Sequence, residues 1–556
     1  MRGLTLPLLL LAALTFLVGL GRGAITDADE AFYAEAAREM VQSGDLVTPF
    51  YNYEPRFQKP ILYYWLTAGT FAVTGGPGEA GSRFWAALSG IGLVLVTAAC
   101  ARRWFDDGVA LLSGAIVATS FGYYSIGRMA LPDLPLTFFI TLAIWAGWVA
   151  MLEDDRHRTR WVVLSAIALA LGFLTKGPVG VIIPGLVVVP VVLMERRRLN
   201  LRASDLLLGA IVFALIALPW YGLMWSRHGT EYLHGFFLGD NLERFATERF
   251  NDRRPWWFYL PVVAGGLLPW TPLALVWVEP VWRFLTRRRD LGTLELRLIL
   301  WAALPLVFYS LSIGKQPRYV LPVLPPLAML LATSILERTR DWRSMDGARV
   351  RLRRQVSVGA GAVLSGGLLI ALAALLWRAS PLLINVSPTL TLAAAVAIGL
   401  AGLAVVVVGA SGAWRQTPVA IALAAAVTFP ALQFGALSGT GAGTVEQVAR
   451  VVLAARTGNE PVGTHHVFVR NLVYYAGMPT VDLITDEQLT MFLRRDERVL
   501  VVASAEAIAR LEAVEGRRFR RLAEVPYFNE AGIRLRTLLW PDTARDISRV
   551  VIVSNH

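Results

Sequence analysis

Thirteen mostly apolar stretches constrain this chain more than any other feature: about 4–22, 84–101, 108–127, 133–152, 161–176, 178–194, 205–225, 257–282, 297–314, 319–336, 356–377, 389–410 and 417–436. A helix needs roughly 20 such residues to cross a bilayer, and inside lipid only a helix or a closed barrel satisfies its own backbone. With 55% hydrophobic and 17% charged residues, the chain is too apolar to be a soluble protein of its length. It reads as an α-helical polytopic membrane protein. The first run follows only Met1 and Arg2 and has no small-residue cleavage site, so it is expected to stay as a helix. ILYYWLTAGTFAVTG (61–75) is short and aromatic, which suits a helix lying at the interface.

The net charge of +12 would suggest nucleic acid in a soluble protein, but here the arginines collect in alternate short loops. These are ARRWFDD, EDDRHRTR, ERRRLNLR, TRRRDLG and RTRDWRSMDGARVRLRRQ. The positive-inside rule makes these loops cytoplasmic, with the N-terminus inside. No nucleic-acid partner is implied. Thirteen spans then leave the C-terminal segment outside. There, apolar runs such as VFV, RVLVVAS and VVIVS alternate with amphipathic stretches such as DEQLTMFLRR, the pattern of a small α/β domain. The expected organisation is a transmembrane domain over 1–439 and a soluble α/β domain over 440–556, with that domain on the outer side. The single cysteine, Cys100, excludes an internal disulfide and a cysteine metal cluster.

Unusual charge gathers on the outer side, in the long loops 23–83 and 226–256. The chain has only three lysines, Lys59, Lys176 and Lys315, each at the outer mouth of a helix with a proline within two residues. Asp133 starts the fourth span between Pro132 and Pro135, with Arg128 as a candidate partner. An ionisable group there is costly unless paired or facing a wet cavity. ITDADEAFYAEAAREM (25–40) begins a helix that Thr26 and Asp27 are expected to start, with Glu35, Arg38 and Glu39 on its surface and Gly44 ending it. Acids in a first turn complement the macrodipole, yet one suffices, and Asp29 and Glu30 remain for chemistry.

No Walker A motif or strand-borne GxGxxG is present. A lipid-linked phosphate donor fits better, its tail in the bilayer and its headgroup held at the interface by Lys59, Arg244, Lys315 and Arg318, with a hydroxyl from Tyr319. The same cations would stabilise a leaving phosphate, and a carboxylate would orient or deprotonate an acceptor. A transporter of charged lipid would instead place ionisable groups near the midplane, where these spans are nearly charge-free.

DADEAFYAEAAREMVQSGDLVTPFYNYEPRFQKPILYYW, RMALPDLPL, GFLTKGPVG, NLERF and SIGKQPRYVLPVLPPLA together give the chain a resemblance to the bacterial lipid A aminoarabinose transferases and, more distantly, to the protein O-mannosyltransferases. The resemblance covers nearly the whole chain. It implies the GT-C fold, a polyprenyl-phosphate sugar donor, usually undecaprenyl phosphate, and transfer with inversion to lipid A, a glycan or a protein, with the site and the C-terminal domain facing the periplasm of a bacterial inner membrane. It places catalytic acids at Asp29, Glu30 and Asp133 and donor-phosphate contacts at Lys59, Arg244, Lys315 and Tyr319, with Phe245 beside Arg244. Where the family has metal-ligating Glu and His, this chain has Gln58 and Asp240-Asn241. A neutral amide replaces a carboxylate poorly, so no cofactor is assigned and Asp240 is the one candidate ligand for a divalent metal. His228 and His234 are read as loop residues. A reporter enzyme active only outside the cytoplasm is expected to be active when fused after Ser438 and silent within residues 195–202; the reverse pattern would invert the topology.

Overall fold

The computed structural model describes the 556 residues apart from 1, 27, 197–198, 248–252, 288–289, 340–347, 440–441 and 530–533. The proposed start of the first-loop helix at Asp27 thus lies outside the described residues. Each of the thirteen apolar stretches is helical, but not every one is a simple span. Nine helices among the described residues are long and apolar enough to cross a membrane. Two further stretches are bent pairs, Asp107–Ala118 with Phe121–Gly127 at 54° and Trp256–Gly266 with Thr271–Leu285 at 106°. At the first bend the Thr119 and Ser120 hydroxyls bond back to the carbonyls of Ala115 and Ile116, both at 2.6 Å, which competes with the helical ladder. The remaining two, Thr5–Leu17 and Val179–Met194, are shorter apolar helices.

The helix Asp133–Leu152 is the most enclosed of the spans, 72% of it buried inside the protein. It turns through the short charged loop and returns as Arg158–Lys176. The two helices have similar lengths, so the first residue of one and the last of the other meet at the same end. Gly177 ends the return helix with φ +78°, and a Cβ there would lie 2.4 Å from the Phe236 ring. Only glycine fits that turn.

The first outer loop is structured. Helix Ala28–Ser43 ends at Gly44, at φ +72°. Contrary to expectation, Glu35 and Glu39 are buried, at 0% and 3% exposure. A hairpin of β1 (Phe50–Tyr51) and β2 (Glu54–Pro55) lies against this helix, and the Tyr53 amide donates to Glu39 at 3.0 Å. Burial, then the hydrogen bond from the neighbouring carboxyl of Glu35, push Glu39 up to about 8. The next helix, Leu62–Thr74, spans only about 20 Å at 1.5 Å per residue, too short to cross. The second loop differs more. The helix Ala203–Leu233 runs on beyond the predicted span, swings at Gly229 and continues as a π-helix, His234–Glu243.

The C-terminal segment forms a five-stranded sheet from β3 (Val462–His465), β4 (Val481–Leu483), β5 (Leu500–Ser504), β6 (Arg520–Tyr527) and β7 (Ser548–Ser554), in the order β4-β3-β5-β7-β6. β3 is parallel to β4 and β5; β7 runs antiparallel to β5 and β6. RVLVVAS and VVIVS become β5 and β7, whereas VFV falls in the turn after β3. The central strands are buried on both faces, between helices such as Thr444–Ala455 and Ala505–Glu515. The segment docks on the first loop through Asn52 and Thr480, which exchange hydrogen bonds of 2.8 and 2.9 Å, and through the Tyr53 hydroxyl, which donates to the Gly477 carbonyl at 2.8 Å.

Candidate active site

The hairpin geometry places Asp133 and Lys176 in contact. Asp133 sits in the first turn of its helix and Lys176 in the last turn of its own, so each charge also complements a helix dipole. The Lys176 ammonium donates to Oδ1 of Asp133 at 2.5 Å. Arg318, just before the predicted tenth span, lies 3.4 Å from Oδ2 of the same carboxylate and is also paired with Asp29. Asp133 is therefore held by Lys176 and Arg318 and not by Arg128, whose guanidinium donates instead to Gln433 and to the carbonyls of Thr15 and Phe16.

A second buried carboxylate repeats this arrangement. The π-helix turns Asp240 inward, 4% exposed, between Lys59 and Arg244. Arg244 donates to Oδ1 at 2.7 Å and Lys59 to Oδ2. The segment after Leu311 is tied to this helix: the Ile313 amide donates to the Phe245 carbonyl at 2.8 Å. A Cβ on Gly314 would lie 2.1 Å from the Arg244 carbonyl oxygen, so the two backbones touch only because residue 314 is glycine.

Both clusters line one cavity of about 360 Å³. Its polar wall carries Lys59, Lys176, Arg244, Arg318, Asp133 and Asp240, with Tyr319 packed against Lys176 at 4.7 Å from ring centre to ammonium. Four cations face two carboxylates in this lining, and Asp29, paired with Arg318 just outside it, brings the network to an excess of one positive charge. Leu136, Val179, Ile182, Phe237 and Phe308 form the apolar wall. Burial opposes ionisation of Asp29, but the charge and hydrogen bond of Arg318 outweigh it and hold the carboxyl below its ordinary range. Burial pulls the Lys59 ammonium down to about 8 in spite of Asp240.

Three residues named from sequence are not in its lining, and Asp29 meets it only through Arg318, with which it pairs. Lys315 is 4% exposed and donates to the Ser312 carbonyl, completing the end of the preceding helix. Glu30 is 2% exposed and accepts from Arg83 at 2.6 and 3.1 Å and from the Ala130 amide at 2.9 Å. Neighbours on a helix point about 100° apart, so Asp29 and Glu30 face different surroundings. The Glu30 carboxylate instead clamps the RMALPD turn that presents Asp133. Lys176, at a helix mouth in LTKGP, is the cavity cation absent from the donor-phosphate set expected from sequence.

The donor set does not fit the divalent metal of the resembling family. Both oxygens of Asp240 are engaged by cations, and Gln58 is neutral and exposed. His228 shares a hydrogen bond with Thr48 at 2.8 Å, and His234 is exposed.

Comparison with known proteins agrees with this architecture. The fold is that of the GT-C membrane proteins: the ArnT crystal structure from Cupriavidus metallidurans bound to undecaprenyl phosphate superposes with a TM-score of 0.72 at 23% identity, over 100% of this chain and 98% of that one. The Archaeoglobus fulgidus oligosaccharyltransferase matches with a TM-score of 0.53 at 12% identity, over 95% and 68%. Within that fold the chain is similar in sequence to the bacterial aminoarabinose transferases. It is 33% identical over 333 residues to the undecaprenyl phosphate-alpha-4-amino-4-deoxy-L-arabinose arabinosyl transferase of Erwinia tasmaniensis, across 58% of this chain and 57% of that one. To the Pseudomonas aeruginosa protein of the same name it is 34% identical over 378 residues, 67% of this chain and 65% of that one. The matched region thus spans somewhat less than two thirds of these relatives. The dolichyl-phosphate-mannose-protein mannosyltransferase family model matches residues 12–227.

Removing one member of a buried ion pair costs about 3–5 kcal/mol, whereas replacing both by apolar groups is often neutral. Glu30→Ala is therefore expected to lower the thermal denaturation midpoint in detergent, and Glu30→Leu combined with Arg83→Met to recover much of the loss. An unchanged midpoint in Glu30→Ala would remove the clamp.

Proposed function

We propose that this protein is an integral-membrane glycosyltransferase of the bacterial inner membrane that moves a sugar from a polyprenyl phosphate, of the undecaprenyl type, to an acceptor on the periplasmic face. The transferase domain is residues 1–439, and residues 440–556 form a periplasmic domain docked on it. One observation carries the reading: four cations converge on a cavity with one polar and one apolar wall, at the mouth of a membrane helix hairpin. That wall pair suits a headgroup phosphate and the first units of its prenyl chain, and the same fold in ArnT was crystallised with undecaprenyl phosphate.

In this mechanism the donor phosphodiester displaces the internal ion pairs. Lys59 and Arg244 turn from Asp240, and Arg318 from Asp29, to the phosphate oxygens. Their charge stabilises the phosphate as the bond between the anomeric carbon and the phosphate oxygen breaks, with the electron pair going to that oxygen. An acceptor hydroxyl attacks the anomeric carbon from the opposite face, so the configuration inverts, and its proton passes to Asp29. Arg318 couples the two events: engaged with phosphate, it no longer depresses Asp29, which becomes a better base when the donor is in place. Asp133 keeps Lys176 and Arg318 aimed at the cavity. Lipid A is the leading acceptor, by similarity to the named relatives; an envelope glycan or protein is the alternative.

Asp29→Asn is expected to bind donor and lose roughly 10²–10⁴-fold in transfer rate; full activity would exclude its role. Lys59→Ala is expected to weaken donor binding by roughly 10- to 150-fold, the scale of a lost charged hydrogen bond of about 1.5–3 kcal/mol. Because the anionic diester favours the protonated lysine, donor affinity in wild type should be full below pH about 8 and fall above it. Lys59→Arg should abolish that fall. A titration of donor affinity from neutral to alkaline pH measures both, and a flat wild-type profile would remove Lys59 from the phosphate site. Mass spectrometry of lipid A, glycans and secreted proteins with and without the gene identifies the acceptor.

A further inference from the structure

The C-terminal sheet carries a second grouping of functional side chains that the transfer reaction does not use. β3 ends at His465, which is followed at once by His466, and β4 beside it leads through the capping residue Thr485 into a helix whose first residue is Asp486. The two strands are parallel, so their carboxyl ends open at the same edge of the sheet, where loops of such folds hold ligands.

The backbone is shaped to gather these side chains. Consecutive residues of a strand point to opposite faces, so two adjacent histidines in β3 would diverge. His466 instead takes φ +56°, in the left-handed region that costs a non-glycine residue of order 1–3 kcal/mol. This turn brings its ring to 4.2 Å from that of His465 between centres. One ligand atom from each of His465, His466 and Asp486 lies within 4.8 Å of the others. Such strain persists where the surroundings hold it, and it clusters at functional positions.

The buried imidazole supplies the independent observation. His465 is 1% exposed, yet neither of its ring nitrogens has a hydrogen-bond partner. Nε2 lies 3.2 Å from Oδ1 of Asp486, close but outside hydrogen-bonding geometry. A buried polar group left unbonded is costly, and an ion between the imidazoles and the carboxylate would satisfy it.

We propose that His465, His466 and Asp486 form a binding site for a divalent first-row transition metal, of the Zn²⁺ class, in the C-terminal domain. Two imidazoles and a carboxylate are the ligand set of open zinc sites, in which the remaining position takes water or an exogenous group. The exposed His466 and Asp486 leave that position facing solvent. The soft-sulfur alternatives do not arise, because the lone cysteine, Cys100, is buried elsewhere.

The test uses the full-length protein without a histidine tag, in lipid nanodiscs, stripped by chelator and dialysed against Zn²⁺. Elemental analysis is expected to find one retained equivalent per chain, and Co²⁺ substitution to give the visible absorption of a four- or five-coordinate site. His466→Asn keeps a residue tolerant of the left-handed turn, and Asp486→Asn keeps the helix start. Each is expected to lose the equivalent while its metal-free circular dichroism and melting midpoint match those of the metal-free wild type. Asp240→Asn is expected to retain it. Wild-type protein without a bound equivalent, retention in both His466→Asn and Asp486→Asn, or loss in Asp240→Asn with retention in His466→Asn would overturn the proposal.

Discussion

Asp133 is a carboxylate at the head of the most enclosed helix of a membrane protein, and an ion there survives only if neighbouring charge replaces its lost hydration. Lys176 provides that charge because the hairpin returns to the same level, and Arg318 provides more from a helix distant in sequence. The positions of the other charged groups follow. Arg318 is shared with Asp29, which ties the first loop to the helix bundle, and the same arithmetic of one carboxylate between two cations recurs at Asp240. The site is thus an internally compensated salt network whose cations are already desolvated and oriented before a ligand arrives.

That network depends on elements far outside the bundle. Lys59 follows the β1–β2 hairpin, whose turn residues Asn52 and Tyr53 both have positive φ. Neither would hold such a turn cheaply alone, and both are fixed by the C-terminal segment through Thr480 and Gly477. Arg470 of that segment also packs on Phe32, 4.6 Å from its ring centre, one turn of helix from Asp29. The C-terminal segment therefore buttresses the loop that carries Asp29 and Lys59, the acid and the lysine of the proposed reaction.

Much of this was legible from the residues in order, and the failures share a cause. Apolar length is a local property, so all thirteen stretches were found; bending at Thr119 and Ser120 and the π-helix at His234–Glu243 depend on packing and were not. Asp133, Lys59, Arg244, Arg318 and Tyr319 stand out in the sequence because charge at a helix mouth demands a reason, and they line one cavity. Arg128 was paired with Asp133 on closeness in sequence, which a turn between helices does not preserve. Lys315 looked like its two fellows, but a lysine can be satisfied by a backbone carbonyl, and no pattern in one sequence distinguishes that use. Glu30 was grouped with Asp29 although one residue of helix separates their directions.

With Asp29 counted, the network carries one surplus positive charge, which on the proposed reaction becomes two when Asp29 takes the acceptor's proton. A sugar-carrying polyprenyl phosphodiester brings a single negative charge, whereas the lipid monophosphate left after transfer carries between one and two, its second ionisation lying near pH 6. The spent carrier thus meets two surplus charges where the loaded one meets a single one. On the proposed reaction, the enzyme holds its by-product more firmly than its fuel, so its pace in the membrane is governed by how fast the empty carrier lipid exchanges away.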